Sequence, residues 1–142
     1  MILVSACLAG YPCRYDGQSQ ANGKIVELVR QGKALPVCPE QLGGLTTPRL
    51  PAEIQTTGDG SLKVMNIVGE DVTSNFVQGA LTTLEIARFY DAEKAILKQN
   101  SPSCGVGHRY DGTFSGTIIE GDGITAKLLR DNDITVEPED KT

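Results

Sequence analysis

Short apolar runs, set apart by loops and amphipathic stretches, constrain the fold of this chain most. ILVSA (2–6), ALPV ahead of Cys38, LKVMNIV (62–68), KAILK (94–98) and ITVEP (134–138) have the length and composition of strands. Between them lie helical patterns. In NGKIVELVRQGK, residues Ile25, Val26, Leu28 and Val29 fall largely on one face, with Asn22 as the expected cap and Gly32 as the stop. In TSNFVQGALTTLEIARFYDA, residues Phe76, Val77, Ala80, Leu81, Leu84 and Ala87 form one apolar face, and Thr73 or Ser74 is the expected cap. GITAKLLRDND predicts a further, short helix. Strands alternating with helices predict a single α/β domain over residues 1–142, with a mostly parallel sheet and helices on both faces, Rossmann- or flavodoxin-like.

In such sheets ligands bind beyond the carboxyl ends of the strands. Cys7, Cys38 and Cys104 each fall at or just past the end of a predicted strand, so three cysteines distant in sequence are expected at one edge. Cys104 lies in QNSPSCG, a loop of small, helix-breaking residues that favours exposure over core packing. The stretch 39–60 has little periodicity and is expected to be a long loop covering the site. The tetrapeptide RYDG occurs at 14–17 and again at 109–112, each time after a cysteine loop, and reads as a shared Asp-Gly turn.

Charge and hydropathy narrow the partners. A formal charge of −5 argues against wrapping a long polyanion, whose binding rests on Lys and Arg neutralising phosphates. No apolar run reaches the roughly 18 residues that a membrane span needs. MILVSACLAG has no positive region before its apolar run, so it reads as a first strand, not as an export signal, and a cytoplasmic location is expected. In a reducing compartment four cysteines are expected to work as thiolates and not as two disulfides.

Three thiol chemistries suit such cysteines to different degrees. The strand–loop–helix of low-molecular-weight tyrosine phosphatases sets a cysteine and an arginine five residues apart; here six residues separate Cys7 from Arg14, and no Asp-Pro pair supplies the general acid. A structural zinc site usually pairs its ligands as CxxC, which is absent, although Cys104 and His108 have plausible spacing. An iron–sulfur cluster on three thiolates leaves one iron open as a Lewis acid, and Gly10, Gly43, Gly44, Gly105 and Gly107 are expected to let backbone crowd around it. Composition leaves zinc and cluster both open.

Three motifs in order, SACLAGYPCRYDG, CPEQLGGLTTPRLPAEI and SPSCGVG followed by YDGTFSG, resemble the 2-thiouracil desulfurase (TudS) family from Val4 to the last strand. The resemblance implies an oxygen-sensitive enzyme with a 4Fe-4S cluster that converts 2-thiouracil to uracil and sulfide without net redox change. It implies Cys7, Cys38 and Cys104 as cluster ligands, Glu40 as a catalytic acid and Ser101 as a catalytic serine. Cys13 has no counterpart in every branch of the family and is left out of the ligand set. Glu40 is expected to activate water or pass on a proton, and Ser101 to hydrogen-bond the pyrimidine. Ser5 and Ser103 are candidates to tune the cluster sulfurs, and Arg49 to hold the long loop by a salt bridge. The acidic balance favours a small thiolated pyrimidine over thiolated tRNA. The rival readings are another lyase or hydrolase with an open iron, and a non-enzymatic zinc- or sulfur-binding module.

Overall fold

The computed structural model describes residues 1–141. Its frame is a four-stranded sheet ordered β2-β1-β5-β8, from Ala34–Val37, Ile2–Ser5, Lys94–Leu97 and Thr135–Pro138. All three pairings are parallel, with Leu3 opposite both Leu35 and Ala95, and Ala95 opposite Val136. Successive side chains alternate across a sheet, and the core divides accordingly. Leu3, Ala95 and Leu97 pack with Leu84 and Ala87 of α3 (Thr73–Phe89) and Ala126 and Leu129 of α4 (Ile124–Asp131). Val4 and Ile96 pack on the opposite face with Ile25 of α1 (Gly23–Arg30). Helices therefore cover both faces, as the alternation predicted. Among the described residues no helix is long and apolar enough to cross a membrane.

α1 begins as its sequence requires. The Asn22 side chain accepts from the amides of Lys24 and Ile25, and Gly32 turns the chain out with a φ of +71°. α3 departs from expectation at both its start and its face. Val72 takes the cap position without a side-chain bond, while the Thr73 hydroxyl accepts from the Val64 amide at 2.8 Å. Its buried face runs through Phe76, Gly79, Ala80, Thr83, Leu84 and Ala87, leaving Val77 and Leu81 exposed.

The reason is a close crossing with α2 (Pro39–Leu42), the short helix that follows β2. A Cβ at Gly79 would lie 1.9 Å from the Pro39 carbonyl oxygen, and one at Gly43 would lie 2.0 Å from that of Asn75. Two backbones this near exclude larger residues, and the Thr83 hydroxyl is satisfied inside α3 by donating to the Gly79 carbonyl at 2.7 Å. Gly79→Ala is expected to destabilise the protein by about 2 kcal/mol or more, because backbone must move to admit the methyl. The urea unfolding midpoint measures it; an unchanged midpoint would show that α2 and α3 are not so tightly seated.

Residues 39–68 hold more structure than a covering loop. After α2, β3 (Ala52–Thr56) pairs antiparallel with β4 (Leu62–Asn66), which stands outside the parallel sheet. Phe76 of α3 closes the small core of this hairpin with Ile54 and Val64. A second hairpin, β6 (His108–Tyr110) with β7 (Ile118–Glu120), carries the second RYDG.

Candidate active site

The carboxyl ends of β1, β2 and β5 open into one cavity of about 790 Å3. Cys7, Cys13, Cys38, Cys104, Glu40 and Ser101 all line it. The expected convergence of Cys7, Cys38 and Cys104 is therefore present, and Cys13, set aside on the sequence, joins them. Cys7 sits in a single 3-10 turn, Ala6–Ala9, directly after β1. Cys38 occupies the cap position of α2 directly after β2. Cys104 lies beyond β5 on a loop that Ser101 organises: its hydroxyl oxygen accepts from the amides of Ser103 and Cys104, each at 3.1 Å. That role matches a turn-starting serine, and it leaves the Ser101 hydroxyl proton free to donate.

The surroundings of Cys13, Cys38 and Cys104 favour the protonated thiol in the metal-free protein. Burial pushes Cys104 up to about 12, against hydrogen bonds from Ser5 and Ser103 that pull it down. Cys13 is pulled down by its hydrogen bond with Cys38, but its contact with Cys7 and its burial prevail and raise it to about 11. Cys38 is raised further, first by its hydrogen bond with Cys13 and then by burial. Its thiol also donates to the Cys13 carbonyl, at 3.8 Å. These interactions bring the Cys13 sulfur within reach of those of Cys7 and Cys38, with the Glu40 charge close enough to raise both Cys38 and Cys104.

A sign follows. Groups raised above 9.0 in the fold bind protons more tightly folded than unfolded, so their contribution is complete below pH 9 and is lost as pH rises towards 12. The melting temperature of the reduced, metal-free protein is expected to fall across that window, less steeply in Cys104→Ala. An identical fall in both proteins would contradict the assignment to Cys104.

Glu40 pairs with Arg49, and both side chains are largely buried, 13% and 9% exposed. The salt bridge expected to hold the long loop thus runs to the candidate catalytic acid. Glu53 instead accepts from the amides of Gly112 and Phe114, fastening the second RYDG turn to β3. Both RYDG copies do form Asp-anchored turns: Asp16 accepts from the Gln18 amide and Asp111 from the Thr113 amide. Sequence reasoning missed that Tyr15 and Tyr110, one from each copy, line the same cavity. Ser5 and Ser103 reach the Cys104 sulfur, as expected.

One expectation fails, and one open alternative loses its ligand. None of Gly10, Gly43, Gly44, Gly105 or Gly107 lines the cavity; Gly43 serves the α2–α3 crossing, and Gly105 lets the Cys104 loop close against the carbonyls of Ser101 and His108. His108 is exposed on β6 and is not among the cavity residues, which removes the ligand that its spacing from Cys104 suggested. Among the described residues no three of His, Cys, Asp and Glu come together as ligands of one ion.

The model of the 2-thiouracil desulfurase family matches residues 2–141. The chain belongs to that family. It is 52% identical over 135 residues to the uncharacterized protein YbbK of Bacillus subtilis (strain 168), covering 92% of this chain and 89% of that one. A solved structure of the [4Fe-4S]-dependent thiouracil desulfidase TudS (DUF523Vcz) superposes with a TM-score of 0.89 at 44% identity, over 99% of this chain and 91% of that chain. The expected family and the expected mostly parallel α/β fold both hold.

Proposed function

We propose that residues 1–142 act as one thiouracil desulfurase domain that holds a 4Fe-4S cluster on Cys7, Cys38 and Cys104 and releases sulfide from a small thiolated pyrimidine, in the cytoplasm. The observation that carries this reading is the meeting of cysteines from three strand ends around one cavity with the Glu40 carboxylate beside them. The donor set fits: four cysteines line the cavity, and its volume of about 790 Å3 leaves room for a pyrimidine as well. The family match and the likeness to a 4Fe-4S-dependent desulfidase support the same cofactor.

When bound, the cluster supplies a thiophilic iron with an open position, a Lewis acid towards the C=S group. The chain's own residues do the remainder. Tyr15 and Tyr110 line the cavity and supply aromatic rings beside a planar base. Ser101, its oxygen occupied by two amides, donates its hydroxyl proton to a ring acceptor. Glu40 takes a proton from the water that attacks the thione carbon. That carbon gains oxygen and loses sulfur at constant oxidation state, so no electron donor or acceptor is required. Cys13 remains a thiol beside the ligands. A free base or nucleoside fits the net charge of −5 better than tRNA.

Isotopic water tests the reaction directly. In water enriched in 18O, uracil formed from 2-thiouracil is expected to carry one labelled oxygen per sulfide released. Label absent from uracil, or sulfide released without uracil, would overturn hydrolytic desulfuration.

A further inference from the structure

The Arg49–Glu40 pair holds more information than a loop clasp. Arg49 is fixed from several directions before it meets Glu40. Its Nη1 donates to the Thr47 hydroxyl at 2.9 Å and to the Thr46 carbonyl at 3.2 Å, and its Nη2 donates to the Cys13 carbonyl at 3.0 Å. Its own amide donates to the Tyr15 carbonyl at 2.8 Å. The same Nη2 donates to Glu40 Oε2. Among the described residues the Glu40 side chain makes its hydrogen bond through Oε2, and Glu40 lines the cavity.

A carboxylate on a flexible stem, tied at one oxygen by a guanidinium that is itself immobilised by three other contacts, has one oxygen directed and one oxygen available. We propose that Arg49 is the positioning residue of the desulfuration site: by gripping Oε2 it presents Oε1 of Glu40 to the attacking water. This rests on the reading of Glu40 as the proton acceptor given above. The guanidinium also reaches the Cys13 carbonyl, through the same Nη2 that grips Glu40. The carboxylate and the Cys13 loop are thereby registered against one nitrogen. Lysine cannot substitute fully, since a compact ammonium on a flexible stem does not span acceptors on three loops.

The test is a double-mutant cycle on anaerobically reconstituted protein, with iron counted in every variant and kcat and KM measured for 2-thiouracil. Arg49→Gln is expected to lower kcat by roughly 10- to 100-fold, the scale on which a small misplacement of a reacting group acts. KM and iron content should hardly change. Arg49→Gln added to Glu40→Gln should cost nothing further, because the positioned group is already gone. Arg49→Lys should restore part of the loss. In the metal-free protein, urea midpoints should show the same pair to be coupled, a readout independent of turnover.

Additive losses in the double variant, or iron content falling in step with kcat, would overturn positioning and reduce Arg49 to a structural clasp. If Arg49→Gln does not fold, Arg49→Lys takes its place in the cycle with the same criteria. Turnover that survives in Glu40→Gln would instead overturn the role of Glu40 itself, an outcome distinct from failure of the Arg49 proposal alone.

Discussion

Cys104→Ala is expected to abolish stable iron loading and to lower desulfuration by more than about 100-fold, beyond the loss usual for residues that merely support a ligand. Everything around this cysteine serves to set its sulfur. Ser101 holds the loop through the amides of Ser103 and Cys104, and Gly105 permits its closure. The Ser103 hydroxyl is tied to that of Thr125 on α4 at 2.7 Å, and both Ser103 and Ser5 hydrogen-bond the Cys104 side chain. Burial this complete disfavours a bare thiolate, so the sulfur is stable as an anion only when something cationic binds it. Alanine removes the proposed ligand and leaves only a small void, so the metal-free fold should survive. The matched control is Cys13→Ala, expected to keep its iron. Counting iron in both settles the ligand set, and loss of iron from Cys13→Ala would show that Cys13, which touches both Cys7 and Cys38, belongs to it.

Glu40→Gln is expected to reduce turnover by about 10²- to 10⁴-fold, the range for loss of a positioned acid–base group. Glutamine keeps the shape and an oxygen for Arg49 to grip, so the substitution isolates proton transfer from packing. Iron content should equal that of the unaltered protein. A module that only bound metal or sulfur would be indifferent to this change. Unaltered turnover in Glu40→Gln would therefore remove the proposed proton acceptor while leaving the cofactor assignment in place.

Much of this arrangement was legible in the residues. Runs such as ILVSA and KAILK are too short for helices and lie between periodic stretches, which is the mark of a parallel sheet, and Cys7 and Cys38 follow two strand ends directly. The remainder depends on contacts that periodicity does not encode. The buried face of α3 includes Gly79 and Thr83, which a hydrophobic pattern counts as neutral or polar, whereas the crossing with α2 needs them small. The β3–β4 hairpin is hidden in the sequence because AEIQT alternates weakly and its partner lies beyond an exposed turn. Cys13 reaches the other cysteines through an irregular loop, so its neighbours are set by tertiary position and not by a strand end. The pairing of Arg49 with Glu40 spans nine residues of non-repeating chain, where spacing predicts no contact.

The most direct test of the central claim is anaerobic reconstitution with iron and sulfide, followed by an iron count and the addition of 2-thiouracil. The account predicts about four irons per chain, the content of one cubane cluster, with uracil and sulfide then appearing in equal amounts. A protein that takes up no iron but binds one zinc, and leaves 2-thiouracil intact, would contradict it.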